Sequence, residues 1–409
     1  MTFSKKIKEA KSTAESISIA LWSDDRGWLL VFVAVGWALI LGGRFIFPVL
    51  FPYFTDEFGT NLSTLGFVYS LLWFSYAIGQ FPSGMLADSI GERRVLVIGL
   101  LLSGTTLIIL SLSFQIIMVA TSMIIFGLAS ALYGPTRFSV MSDIYPEFDG
   151  TAIGITQAAG EAGNGIFPFI AAIISVYSFW QLGILYIVPL FFITAIGLQR
   201  SMPKRTSSSG INSSSFSINK LKDLFKNVNN FSILSLLFVI TVTSFALQAV
   251  SSFYPTYLVN IKGVSPVTAA ILFSLLFFSA IIIQPVSGAI GDTLAPQRML
   301  LGSTITFALG LLLFPFVSSL YSIIIVTIML SSFFAIPPII IPQLLSAIPA
   351  DIQGTGLGFL RSCYLGIAAT GSFYMGFLGD KGLFVESFLL LSISVSCAFI
   401  LSTISIVRS

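Results

Sequence analysis

The chain has 409 residues, of which 56% are hydrophobic and only 9% charged, whereas a soluble domain of this length carries charges on about a quarter of its residues. Twenty Lys and Arg with 17 Asp and Glu cannot clothe a soluble enzyme, and the formal charge of +3 is confined to a few loops with no basic stripe for a nucleic acid. Histidine is absent, and Cys363 and Cys397 have no CxxC spacing, so no metal, haem or other cofactor is expected.

Residues 1–27 hold Lys5, Lys6, Lys8 and Lys11 but no short apolar core with a small-residue cleavage site, which reads as a cytoplasmic tail rather than a secretory signal. From Trp28 onward, apolar runs of the roughly 20 residues needed to cross a bilayer recur almost to the end. They predict twelve transmembrane helices, at 28–54, 62–88, 93–113, 115–141, 150–176, 181–200, 231–258, 266–291, 298–317, 320–345, 354–378 and 385–405. Sixteen of the twenty Lys and Arg then fall on one side, against Lys262 and Lys381 on the other, with Arg44 and Arg361 inside spans. Cytoplasmic loops carry that excess, so both termini are expected in the cytoplasm of a multi-pass cell-membrane protein. Between spans six and seven, Pro203, Lys204 and Arg205 open a Ser-rich stretch that lacks the apolar content to pack. Residues 201–230 are therefore expected to be a cytoplasmic linker between a 28–200 bundle and a 231–409 bundle, with Lys220, Lys222 and Lys226 suited to an anionic leaflet.

A constant offset of 204 residues pairs Tyr53 with Tyr257, Gly59 with Gly263, Gly84 with Gly288, Asp88 with Asp292, Arg94 with Arg298, and Gly150-Thr151 with Gly354-Thr355. The expected fold is thus an all-α membrane protein of two pseudo-symmetric six-helix bundles, with a midplane site between them opened alternately to each side. The segment Gly84-Met85-Leu86-Ala87-Asp88-Ser89-Ile90-Gly91-Glu92-Arg93-Arg94 resembles the G-x-L-A-D-r-x-G-r-[RK]-[RK] signature of the major facilitator superfamily of secondary transporters. Ser89 and Glu92 depart from it, and the second copy keeps only the frame of Gly288, Asp292 and Arg298. The resemblance implies spans 1, 4, 7 and 10 around a cavity and spans 2, 5, 8 and 11 at the interface between the halves. It also implies gating by Gly84, Asp88, Gly91, Arg93, Arg94, Asp292 and Arg298. Physically, glycines let helix ends approach closely, and Asp88 can pair with arginines or a helix N-terminus.

Three charges fall inside the spans, and a charge at the bilayer centre costs about 2.5–3.5 kcal/mol on insertion scales. Arg44 lies 16 residues after Trp28, about 24 Å along its helix, and its planar fork of donors suits a carboxylate or phosphate. Its position resembles the span-one arginine with which organic-anion members hold their substrates. The offset maps Arg44 onto Gln248, so a second arginine on span seven is missing and a singly charged carboxylate is expected. Gln248, Ser251 and Ser252 would serve that substrate's hydroxyl or carbonyl groups. Gln157, Glu161 and Asn164, spaced i, i+4, i+7, form a polar stripe expected to couple proton movement to substrate; a static pair of Glu161 with Arg44 is the plain alternative. Arg361, with Tyr364 nearby, is expected to form an inner gate or second anion contact, Tyr53 and Tyr257 to gate or sit as interface aromatics, and Arg137 to anchor the end of span four near Asp143. The expected protein is a monomeric, proton-driven transporter of a small organic anion, with drug/proton antiport as the alternative. An enzyme is not expected, because no HExxH, paired intramembrane carboxylates or phosphate-binding Gly-rich loop occurs. Against the alternative, Gly163 is followed by Asn164 rather than proline, and span four holds Ser122-Met123-Ile124 where antiporters of this fold carry an arginine.

Overall fold

The computed structural model describes residues 21–22, 26–203, 231–293, 296–346, 348 and 353–408. Most of the tail, the linker stretch 204–230 and the side chains of Asp292 and Arg408 lie outside the described residues. In hydrocarbon a backbone must satisfy its own hydrogen bonds, and runs of Leu, Ile, Val, Phe and Ala do so here as helices. The first half contains α1 (Arg26–Phe58), α2 (Leu62–Ile90), α3 (Glu92–Ser111), α4 (Ile116–Ile144), α5 (Asp149–Tyr177) and α6 (Leu182–Ser201). The second contains α7 (Phe231–Asn260), α8 (Pro266–Thr293), α9 (Pro296–Leu313), α10 (Leu320–Ser346), α11 (Gln353–Asp380) and α12 (Phe384–Arg408). Among the described residues eleven of these are long and apolar enough to cross a membrane. The remaining one, α11, has the length, 28 residues, but a Gly- and Ser-rich composition that dilutes its hydropathy.

Local chemistry sets the boundaries. The Asn61 side chain accepts from the Thr64 amide and starts α2, and Gly91, at φ +90°, turns the chain from α2 into α3 while its N–H still reaches Ala87. Gly59 after α1 and Gly263 after α7 both hold left-handed φ values, +57° and +67°, so the 204-residue repeat recurs in backbone conformation. In α10 the helix tightens to a 3₁₀ turn at Ser332–Ala335. There Pro337 and Pro338 withhold the N–H groups that would continue the ladder.

In the first half α1 packs on α5, α2 on α4, and α3 on α4 and α6; in the second α7 packs on α11 and α12, and α9 on α12. The halves meet along α2–α11 and α5–α8, with α1 and α7 touching centrally. Outward faces carry Phe67, Leu128, Ile193, Ile282, Ile325 and Ile393, all exposed, as lipid-facing surfaces require. The two ends of the bundle differ. At the far end, opposite Arg26 and Arg408, the amides of Leu62 and Ser63 donate to the two carboxylate oxygens of Asp380, each at 2.8 Å. Phe51 and Phe253 touch across the halves with ring centroids 5.2 Å apart. A Cβ at Gly376 would sit 2.2 Å from the Leu62 carbonyl oxygen, so only glycine allows this approach. At the near end, a Cβ at Gly84 or Gly288 would meet nothing within 4 Å; the close approach expected at Gly84 is absent in this state.

Candidate functional site

A cavity of about 460 Å³ lies between the halves, lined by α1, α2, α4 and α5 on one side and α7, α8, α10 and α11 on the other. None of α3, α6, α9 and α12 contributes to it, so the four outer helices serve as a jacket. Two larger concavities open on the outer surface, one around Arg26, Asp143 and Arg200, the other along Ala34, Ile155 and Ile166. Neither touches the intramembrane charges.

Arg44 points into the cavity from α1 and is 1% exposed. Its guanidinium carbon lies 3.7 Å from the Tyr76 ring centroid, 5.2 Å from that of Trp73 and 5.8 Å from that of Trp37. Aromatic faces stabilise a cation without consuming its N–H groups, and Nε and Nη2 of Arg44 have no hydrogen-bond partner. Tyr69 fixes the backbone there, its hydroxyl donating to the Arg44 carbonyl at 3.1 Å.

Glu161, from α5, lines the same cavity but makes no ion pair with Arg44. Instead its carboxylate accepts from three amides: Gln157 at 3.1 Å, Asn164 at 3.0 Å and, across the interface between halves, Gln284 of α8 at 2.9 Å. The i, i+4, i+7 stripe therefore exists as a contiguous network. Its close packing relies on Gly163, where a Cβ would strike the Ala38 carbonyl at 2.2 Å.

Arg137 corrects the sequence reading. Helix α4 continues to Ile144, so this residue is not an anchor at the span's end beside Asp143 but a cavity-lining group, 1% exposed. Nη1 donates to Thr156 Oγ1 at 2.9 Å and Nη2 to Gln157 Oε1 at 2.8 Å, with the plane over Trp37 at 4.0 Å. Arg137 thus extends the Gln157–Glu161 network. Gln284 also escaped the sequence reading, although the 204 offset maps it onto Gln80, another lining residue. Tyr76, Trp73 and Trp37 carried no signal to separate them from lipid-facing aromatics.

Of the other expected residues, Gln248 and Arg361 line the cavity, Arg361 beside Tyr364 and within electrostatic reach of Tyr76. Ser251 and Ser252 are buried behind it: Ser252 bonds Ser372 of α11 at 2.6 Å, and Ser251 donates to the Gln248 carbonyl at 3.4 Å. Tyr257 packs inside the second half against Phe314, Phe384 and Phe388, while Tyr53 is partly buried on α1. Asp88 in the last turn of α2, Gly91 at the junction, and Arg93 and Arg94 in the first turn of α3 lie at the near end with Arg298. Arg93 Nη1 donates to the Met202 carbonyl at 3.1 Å, tying α3 to the end of α6, and Arg94 and Arg298 are exposed. The Asp292 side chain lies outside the described residues.

All but one of the unanswered buried polar atoms around the cavity are donors. Among the described residues, the buried lining atoms without a partner are seven donors, Nε and Nη2 of Arg44, Nε of Arg137 and of Arg361, Nε1 of Trp37 and of Trp73, and Nε2 of Gln80. Against them stands a single acceptor, Oδ1 of Asn164. Native proteins leave few buried groups unpaired, and a cluster of orphan donors fits an acceptor-rich ligand.

Comparison with known proteins agrees with this architecture. Two crystal structures of a bacterial homologue of the human lysosomal transporter Spinster, inward-facing and either unoccupied or occupied, superpose with TM-scores of 0.72 and 0.76. They cover 94% and 93% of this chain and 96% of theirs, at 14% identity. Among curated relatives, the "Probable hexose phosphate transport protein" of Chlamydia pneumoniae is 27% identical over 165 residues, 40% of this chain and 36% of that protein. The "Probable sulfoacetate transporter SauU" of Cupriavidus necator is 25% identical over 131 residues, 32% and 30% of the two chains. The "Quinolone resistance protein NorA" of Staphylococcus aureus is 26% identical over 234 residues, 56% and 58%. The matched stretches thus span between about a third and three-fifths of those relatives' own lengths. The family model described as "Major Facilitator Superfamily" matches residues 33–365 and again 236–409. With twelve helices in two halves around a central cavity and that match over most of its length, the chain belongs to the Major Facilitator Superfamily of membrane transporters.

Proposed function

We propose that the chain is a secondary active transporter that carries a small organic anion across the cell membrane by alternating access, coupled to protons, with a substrate carboxylate docking on Arg44. The excess of orphan donors over acceptors around the central cavity carries this reading. At this buried position, the Nε–Nη2 edge of Arg44 offers a bidentate seat for a carboxylate. Gln80, whose Nε2 has no partner, stands by for a further oxygen. Gln248, whose Nε2 donates to Ser252 and Ser372, has its Oε1 left for a substrate hydroxyl, and the minimal cargo is a monocarboxylate. Glu161 supports proton coupling, being the one acidic residue among the described lining residues and joined to the second half through Gln284. Rocking of the halves would break that bond and change what stabilises its charge. The Ser251 and Ser252 hydroxyls act behind Gln248, and the α2–α3 junction from Gly84 to Arg94, with Arg298, Asp292 and Arg361, serves the near-end gate. The chain is taken to work as a monomer with both termini in the cytoplasm.

Reconstitution in liposomes with an imposed pH gradient and a panel of carboxylates tests this directly. Anion-dependent proton entry is expected in the parent and lost in Arg44→Gln; undiminished uptake in that variant would overturn the reading. Drug/proton antiport remains the second reading because the second half lines the cavity with Phe277, Phe333, Phe334 and prolines, and part of the chain is similar to NorA. Proton-driven efflux of a lipophilic cationic dye, insensitive to Arg44→Gln, would favour it.

A further inference from the structure

We infer that the cargo is a compact organic dianion, with one acidic group on Arg44 of the first half and the other on Arg361 of the second. This rests on the anion reading above and goes beyond its minimal monocarboxylate. The cavity's described lining holds three guanidiniums and one carboxylate, an excess of two positive charges. Such an excess at membrane depth calls for counter-charge.

The three arginines are not equivalent. Arg137 spends both Nη groups on Thr156 and Gln157 of α5 and belongs with Glu161 as a neutralised, internally bonded set. Arg44 keeps Nε and Nη2 unpartnered, and Arg361 keeps Nε unpartnered. The two cations with free donors therefore stand on opposite halves, α1 and α11, with Tyr76 in electrostatic contact with both. A single charge would answer one of them and leave the other unmatched. A molecule acidic at both ends answers both and ties the halves together. The missing arginine on α7, where Gln248 stands, is thus made good by one on α11. Two acidic groups of different chemistry, carboxylate with carboxylate, sulfonate or phosphonate, satisfy the same geometry.

Purified full-length protein in detergent, at a pH where all probes are ionised, tests this with matched pairs on one carbon skeleton. Butyrate against succinate and propane-1-sulfonate against 3-sulfopropionate are suitable, with thermal stabilisation giving apparent affinity. The dianion of each pair is expected to bind at least tenfold more tightly in the parent protein, and Arg361→Gln to reduce that preference to near unity. Arg361→Lys, which keeps the charge and loses the planar fork, should retain part of the preference. Equal binding of the two members by the parent would overturn the inference, needing no variant, and leave the Arg44 reading standing. A dianion preference unchanged in Arg361→Gln would overturn the assignment to Arg361. Stabilisation by neither member of any pair would overturn the anion reading itself.

Discussion

A guanidinium removed from water needs its N–H groups answered, and two arginines of α1 and α4 meet that need in opposite ways. Arg137 is bonded to Thr156 and Gln157 and lies over Trp37, whereas Arg44 has aromatic faces and open donors. Replacing each by Met should separate the roles. Arg137→Met strands Thr156 and Gln157 and is expected to cost about 2–3 kcal/mol of stability, seen as a lower Tm in detergent. Arg44→Met removes an unpaired buried charge, so the ligand-free protein should be as stable as the parent or more so, while anion-induced stabilisation disappears. A fall in Tm of the same size in both would mean that Arg44 is structural. Glu161 has a third task, since its three neighbours are all amides. Gln157 is held with its NH2 towards Glu161 by Arg137, but the Asn164 and Gln284 amides can turn to present either N–H or C=O, so the set accommodates a carboxylate and a carboxylic acid alike. Glu161→Gln should therefore fold, retain anion counterflow at symmetric pH and lose uptake driven by a pH gradient; gradient-driven uptake at the parental rate would remove Glu161 from the coupling path.

Helix α2 is held at its start by a group that no local pattern announces. Asp380, 318 residues away, accepts from the first two amides and the Ser63 hydroxyl, so a carboxylate of one half caps the positive N-terminus of a helix in the other. Asp380→Asn is expected to weaken this far-end closure by about 1 kcal/mol, roughly a fivefold shift in population, read as faster labelling of a single cysteine placed at position 63 in a background with Cys363 and Cys397 replaced by Ser. Unchanged labelling would show that the aromatic and glycine packing alone holds this end. The number of spans and the repeat were legible because hydropathy over some twenty residues and a fixed offset are strong, additive signals. Arg44, Glu161 and Arg361 were legible because a charge in an apolar run is costly enough to need a reason. Arg137 was not, because a basic residue a few positions from an apolar run's end reads as snorkelling, and only the coordinates show α4 continuing to Ile144. Gln284 and its repeat mate Gln80 were not legible because a neutral amide carries too small an insertion penalty to stand out. Asp380 depended on a tertiary contact with no sequence correlate.

Alternating access requires the two halves to trade one tight end for the other, and the glycines record which end is tight. At the far end Gly66 and Gly376 bring α2 and α11 into backbone contact: a Cβ at Gly66 would lie 2.4 Å from the Ser372 carbonyl, and one at Gly376 would strike that of Leu62. At the near end Gly84 of α2 and Gly288 of α8, equivalent through the repeat, face open space. The duplicated positions are spare room in this state, and on the proposed alternating-access cycle they are expected to become contact points of the opposite one. Bulk at the two ends should then have opposite consequences. Gly84→Leu or Gly288→Leu meets open space at its Cβ in the state described, so the protein is expected to fold with a Tm near the parent's and bind its anion. It should then fail to close at the near end, giving binding without transport. Gly376→Leu cannot be accommodated here without separating α2 from α11, and should drive the population towards the far-end-open state, raising cysteine labelling at position 63. Normal transport rates in both near-end variants would mean that the halves do not close over Gly84 and Gly288, and that the rocking axis lies elsewhere.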